Sequence, residues 1–452
     1  MPFRLIEKFI ETLSPATMAR LARRTPPSVI RRMAAKHFRQ TVRWAAARSP
    51  FYQRAFAARG LDPAKIRTPA DLGDFYTTPD DLVANAEDFI CAPPSIVFES
   101  SGTTGRNKRV YYSNDELHSI GVSSAVGLAM LGITAEDRIA NAFDFNIWIP
   151  GMVAHYGCMA TGAFSLAFGK VDPIEVYRRL EQYKFTVILG EPTWLIRLTE
   201  LAEQHGARPL RFLVGSAEEM PPDAVRWMEN VWKPARVVMS YGSVEIGGAI
   251  GFQPCLQIDG YHMDNVDYLT EILEPDADGY GEIVFTTLGR RVMPLLRYRT
   301  RDVARLISEP CPCGSNFPCM SKIRGRRDEL IVASGGNLYP LMFQNILEPL
   351  PELTHDWQVV FKLEGVREIM EIHDESTNGA TADALDPRLR SQITDQYPDL
   401  MKNLALGIFQ MRLFVHRPGE LRVGRKLKRL VDLRFAHADR AALAPGLSDI
   451  RS

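Results

Sequence analysis

The stretch SIVFESSGTTGRNK at residues 95–108 runs a short apolar strand, SIVFES, into a loop of small and hydroxylated residues that lies close before a helix starting at Asn114. Gly102 and Gly105 let backbone N–H groups close around an anion, while Ser100, Ser101, Thr103 and Thr104 add hydroxyls and Lys108 a positive charge. Those are the parts of a phosphate cradle. The spacing GxxxxGK[ST] is missing, so the loop is not a Walker A loop. A Ser/Thr/Gly loop in isolation is equally an ordinary surface turn, and its surroundings must decide.

Outward from the loop, strand and helix signals alternate. TVILGEPT (186–193), RFLVGSAEE (211–219) and RVVMSYGSVE (236–245) each read as an apolar strand entering a turn. Alternation of this kind predicts α/β layers with mostly parallel strands. After Asp267 the signals become antiparallel: YLTEIL, a turn at EPDADGYG, then EIVFTTL. Residues 1–75 read as helices punctuated by Thr25-Pro-Pro, Ser49-Pro and Gly60-Leu-Asp-Pro. A boundary near Gly325 divides a large N-terminal α/β domain with a β-rich part, residues 1–325, from a small, mobile α+β domain, 326–452.

Composition excludes several classes. The 452 residues are 46% apolar and 24% charged, without low-complexity tracts or repeats, so collagenous, coiled-coil and disordered readings fail. Basic and acidic side chains balance at 54 each, which argues against a nucleic-acid partner. The balance is uneven along the chain. Residues 1–48 hold eleven Lys/Arg against Glu7 and Glu11. A transit peptide has this bias, but apolar residues continue at helical spacing through Phe38, Val42, Trp44 and Ala45, which predicts helices that cap the domain. Arg4, Glu7 and Lys8 interrupt any signal-peptide core. Asn146–Gly169 lacks charge but is broken by Pro150, Gly151, Gly157 and Gly162, so it reads as buried core rather than a membrane span. A cytoplasmic protein with reduced cysteines is expected.

SSGTTGRNK resembles the phosphate loop of the adenylate-forming superfamily of acyl-CoA synthetases, adenylation domains and luciferases. Four further stretches resemble that superfamily's elements in the same order: YGSVE (241–245), YRTRD (298–302), GRRDEL (325–330) and GRKLKRLVDLR (424–434). SPFYQRAFAARGLDP (49–63), TTPDDL (77–82), AHYG (154–157), GSAEEM (215–220) and PLLRYRTRD (294–302) are similar to the phenylacetate–CoA ligase type. The resemblance covers Arg43 to Arg434. It implies a two-step reaction, in which a carboxylate attacks the α-phosphate of ATP and CoA thiol then displaces AMP from the acyl adenylate.

The same resemblance implies the roles. Thr104 belongs to the reacting phosphate loop, Glu245 would hold Mg²⁺, Asp302 would accept the ribose hydroxyls and Tyr241 would stack near adenine. Ala217 and Glu218 would border the adenine pocket, with Gly242 and Arg326 in the nucleotide set. Taken singly, Glu245 and Asp302 are ordinary surface carboxylates. Lys426 would bridge carboxylate and α-phosphate, with Lys428 its competitor because Arg425 shifts the register. Asp328 is the expected pivot of the small domain, and Gly335 and Gly336 of SGGN (334–337) would approach pantetheine, unless SGGN is a simple turn.

Cys255, His262, Cys311 and Cys313 match segments that some phenylacetate–CoA ligase relatives use for a structural Zn²⁺, and three thiolates with an imidazole suit tetrahedral zinc. Cys319 either replaces His262 or stays outside the set; Cys91 and Cys158 read as packing residues. For the acid, Phe143, Phe145 and Trp148 predict a flat apolar slot for an aromatic ring. Asp144 either faces that slot, favouring an amino or hydroxyl substituent, or caps a helix. CoA is the expected acceptor, with a carrier protein or an amine as alternatives, and a homodimer is compatible with the relatives. A third reading is an inactive zinc-braced scaffold.

Overall fold

The computed structural model describes residues 13–100, 107–252, 258–328, 330–354, 356–376, 378–421 and 428–435, with Leu443 and Leu447. Helices at Pro15–Arg24, Pro27–Arg48 and Pro50–Arg59 open the chain. Ser14 and Ser49 each place a hydroxyl before a helix-initiating proline, accepting from the N–H of Thr17 and Tyr52. Gly60, at φ 62°, closes the third helix. Along Pro27–Arg48 the residues Ile30, Ala34, Phe38, Val42 and Ala45 form a buried stripe while Arg31, Arg32 and Arg43 face water, so part of the basic surplus is the outer face of a packed helix.

The central sheet has nine strands and two halves. Phe164–Ala167, Arg138–Asn141, Val187–Gly190, Phe212–Gly215 and Arg236–Ser243 lie side by side in that order, all parallel. From Arg236–Ser243 the sheet continues antiparallel through Gly248–Phe252, Gly260–Met263, Cys319–Ser321 and Leu306–Ile307. The antiparallel part therefore begins at Gly248, earlier than the sequence signals after Asp267. A second sheet, antiparallel throughout, joins Tyr268–Leu273, Gly281–Thr287, Tyr298–Ala304 and Gly325–Arg326. The chain is an α/β protein of mixed sheets.

The expected loop-to-helix step is a hairpin: Ile96–Ser100 pairs antiparallel with Lys108–Tyr112, Ser100 opposite Lys108, and only then does the helix Asn114–Leu131 begin. Ser113 and Glu116 cap it reciprocally. That helix packs against Pro150–Thr161 so closely that a β-carbon at Gly121 would collide with Tyr156. The uncharged stretch 146–169 supplies this second helix and an edge strand; its Met159 and Phe164 are exposed, so it is only partly core.

Beyond Arg326 a separate apolar core gathers Ala333, Phe343, Trp357, Phe361, Met370, Leu389 and Leu430. It lies under a four-stranded sheet ordered Gln410–His416, Arg367–Glu375, Gln358–Glu364, Leu430–Asp432, with the helices Pro340–Leu347, Ala382–Gln396 and Pro398–Ala405.

Candidate active site

Glu245 follows the last parallel strand and is buried. Three side chains converge on its Oε1: Lys108 by an ion pair, the Tyr298 hydroxyl at 3.1 Å and the Ser100 hydroxyl at 3.4 Å. Burial pushes the Glu245 carboxyl up, but the Lys108 ammonium outweighs it and holds the group at about 2, so the carboxylate is ionised across the neutral range. Arg290 donates to the carbonyls of Glu245 at 3.0 Å and Ile246 at 2.6 Å, and lies over the Tyr112 ring. The hairpin thus brings Ser100 and Lys108, the two described ends of the phosphate loop, onto Glu245. Ser101, Gly102, Thr103, Thr104 and Gly105 lie outside the described residues, as does Lys426.

Asp302 stands on Tyr298–Ala304, where Tyr241 donates its hydroxyl to Oδ2 at 2.6 Å and Arg326 reaches Oδ1 at 2.5 Å. The same guanidinium grips Asp328 in a fork, Nε to Oδ1 at 2.8 Å and NH2 to Oδ2 at 2.9 Å. Arg326 therefore ties the expected ribose acid to the expected pivot. Burial raises the Asp302 carboxyl against the pull of Arg326. Gly242 sits in the strand Arg236–Ser243 opposite Ala249.

Ala217 adopts φ 80°, a left-handed conformation that a β-carbon disfavours, and it is exposed at the turn after Phe212–Gly215. Such strain gathers at ligand sites. The next residue, Glu218, is buried, with Oε2 accepting from the Thr193 hydroxyl at 3.0 Å and Oε1 from the N–H of Gly335 at 2.7 Å. The SGGN loop is therefore seated on the large unit, beside the expected adenine border. Next to it a narrow surface crevice runs between Pro192, Thr193 and Glu219 on one side and Leu363, Val366 and Arg434 on the other. Lys428 is placed in the small unit, its carbonyl accepting from Gln358 Nε2 at 2.7 Å.

Of the three expected slot aromatics, Phe143 faces the core. It is buried with Leu128, Ile139, Cys158 and Val214, because it follows a strand whose next inward position it fills. Phe145, beside His155 at 6.3 Å between ring centroids, and Trp148 remain outside that core. Asp144 accepts from the N–H of Asn146 at 3.1 Å, a local turn bond, rather than capping a helix.

The ligand atoms of His262, Cys311 and Cys313 lie within 4.8 Å of one another. Cys313 Sγ is 3.6 Å from His262 Nε2, whereas Cys319 Sγ is 3.8 Å from Nδ1 on the opposite side of the ring. The imidazole offers one nitrogen to a metal, and Cys313 lies on the Nε2 side while Cys319 lies on the Nδ1 side. Burial, with a contribution from Arg23, lowers the His262 pKa and favours the neutral form that ligates. Cys255 lies outside the described residues.

Several site residues carry no sequence signal of their own. Tyr298 stands inside a recognised motif without an assigned role, and Arg290, Tyr112 and Thr193 lie 25 or more residues in sequence from the motif partners they serve.

Residues 84–269 match the family of AMP-binding enzymes. The phenylacetate–coenzyme A ligase of Thermus thermophilus is 28% identical over 363 residues, 77% of this chain and 81% of the relative. That of Aromatoleum evansii is 27% identical over 360 residues, covering 76% and 81%. The fold is shared with a 2-hydroxyisobutyryl-CoA ligase crystallised with its acyl adenylate and CoA in the thioesterification state: TM-score 0.77, 21% identity, 92% of each chain. The same ligase in its postadenylation state gives 0.64 at equal coverage. Sequence motifs, fold and relatives agree: residues 84–269 match the AMP-binding enzymes, and the chain is similar over about three quarters of its length to phenylacetate–CoA ligases.

Proposed function

We propose that the protein activates an aromatic carboxylic acid with ATP and transfers the acyl group to CoA. The observation that carries this is the cluster of Ser100, Lys108 and Tyr298 on an ionised, buried Glu245, joined to the Tyr241–Asp302–Arg326 set by neighbouring strands. In the first step a carboxylate oxygen attacks the α-phosphorus and the bond to the bridging oxygen breaks, releasing pyrophosphate. In the second the CoA sulfur attacks the acyl carbon and the C–O bond to AMP breaks. Two anions must meet in the first step, so fixed charge and in-line placement supply most of the acceleration. Lys108 and Ser100 would bind phosphate oxygens, Asp302 would accept from the ribose, and Tyr241 would hold both Asp302 and the base.

An ionised carboxylate flanked by hydroxyls is a donor set that suits Mg²⁺. Glu245 would hold the ion, which supplies charge neutralisation on the phosphates. Lys426 is the lysine we assign to adenylation, and Thr104 works in the phosphate loop. Residues 1–325 and 326–452 form the two working units, with Asp328 between them as pivot. The seating of Gly335 on Glu218 supports reading this arrangement as that of acyl transfer, with the neighbouring crevice as the path of pantetheine. A structural Zn²⁺ on Cys255, His262, Cys311 and Cys313 fits the neutral imidazole and gathered sulfurs. The test is ATP–pyrophosphate exchange across a panel of aryl acids, with and without CoA. Exchange followed by thioester only when CoA is present supports the reading; transfer to a carrier pantetheine or an amine in place of CoA replaces the acceptor.

A further inference from the structure

We propose that Lys170, braced by Glu191, is the positioning residue that seats the Gly335 loop of the small unit for acyl transfer. The inference rests on the two-step reading above and adds a component that no motif contains. Lys170 follows the edge strand Phe164–Ala167 and is buried. Its ammonium pairs with the Glu191 carboxylate and donates to the Gly335 carbonyl at 3.0 Å. The N–H of the same glycine donates to Glu218 Oε1 at 2.7 Å. One residue of the small unit is thus gripped at both of its polar groups by the large unit.

The loop is shaped for that grip from its own side. Ser334 and Gly335 both take positive φ, 56° and 72°. Ser334 is buried and donates through N–H and hydroxyl to Glu368, while Asn403 Nδ2 donates to the carbonyls of Ser334 at 3.0 Å and Gly335 at 3.2 Å. A non-glycine residue stays in this conformation only when its surroundings over-determine it. A β-carbon at Gly335 would come 2.6 Å from Lys170 Nζ and 2.9 Å from Asn403 Nδ2, so the ammonium fits against this backbone alone.

A buried ammonium is tolerable because Glu191 neutralises it in either arrangement of the units. The bond to Gly335 exists only when the loop is seated. Lys170 therefore biases the equilibrium between arrangements by a single charge-assisted hydrogen bond, which corresponds to about 10–100-fold in population. Another inter-unit pair, Arg367 with Glu200, has Arg367 a third exposed, where such pairs contribute little.

The experiment uses the full-length chain and two readouts. Hydrogen–deuterium exchange of the peptide spanning 330–338, without substrate, is expected to speed up at least tenfold in Lys170→Met and less in Glu191→Gln, while peptides of the sheet 358–375 keep their rates. Unchanged exchange at 330–338, or faster exchange everywhere, overturns the proposal. With phenylacetate as probe acid, Lys170→Met is expected to keep ATP–pyrophosphate exchange within about threefold and to lower single-turnover thioester formation by about 10–100-fold through the rate rather than KM, with partial rescue by Lys170→Arg. Equal loss in both half-reactions also overturns it. A wild-type chain that exchanges with no aryl acid sinks the functional reading instead, and the deuterium readout still decides the seating.

Discussion

Glu245 and Glu218 are both buried glutamates of the large unit, yet they are satisfied in opposite ways. Among the described residues, the side chains that bind the Glu245 carboxylate, Ser100, Lys108 and Tyr298, all lie in its own unit, and Lys108 holds it ionised at about 2 against burial. Glu218 is pushed up by burial and then by the charge of Glu191, with Lys170 and Arg434 pulling the other way. One of its oxygens is completed by Thr193, the other by a backbone N–H of the small unit. The first carboxylate sits in a cluster whose side chains all precede residue 326. The second is completed by a backbone group from beyond residue 326.

The largest expected effect falls on the first carboxylate. Glu245→Gln should lower ATP–pyrophosphate exchange by roughly 10³-fold, since one preorganised charge is worth about that much in such sites, and single-turnover exchange assays read it directly. Lys426→Ala should lower adenylation by roughly 10²–10³-fold yet largely spare conversion of a preformed adenylate; Lys428→Ala showing that pattern instead would move the assignment by two residues. Next comes the group that completes the second: Gly335→Ala, blocked by Lys170 and Asn403 and strained at φ 72°, should slow thioester formation by about 10–100-fold with exchange preserved. Asp302→Asn should raise the KM for ATP by about tenfold with a smaller change in kcat.

The smallest effect concerns stability. Folding lowers the Glu245 carboxyl from its ordinary 4.5 to about 2, so its ion pair stabilises the fold fully above about pH 4.5 and the contribution drains away as the pH falls through about 2. Urea midpoints of wild type and Glu245→Gln should therefore draw together progressively as the pH falls from about 4.5 toward about 2. Parallel curves over that range would show that the pairing with Lys108 is not what holds the carboxylate. Metal analysis of protein purified without chelator should find one zinc per chain, and its removal should lower the Tm; a zinc-free, equally stable chain would remove the Cys/His proposal.

Much of this contrast was legible before the structure. The motifs drew attention to Ser100, Lys108, Glu245, Tyr241 and Asp302, and the structure brings Ser100 and Lys108 onto Glu245 and Tyr241 onto Asp302. Burial was not legible: Glu245 and Asp302 look like surface acids until their partners, 137 residues away for Lys108, are known. Lys170 and Arg290 escaped notice for the same reason, since their partners are set by long-range packing and not by spacing. Phe143 was misplaced because an apolar residue after a strand fits a pocket wall or a core equally well. The antiparallel turn of the sheet at Gly248 was hidden by glycines, which carry no alternation to read.

The central claim, activation of an aryl acid as its adenylate followed by transfer to CoA, is tested most directly by ATP–pyrophosphate exchange with an aryl-acid panel in the presence and absence of CoA. The account predicts exchange without CoA for at least one aromatic acid, abolished by Glu245→Gln, and thioester only when CoA is added. No exchange with any acid, or exchange that strictly requires CoA, would contradict it.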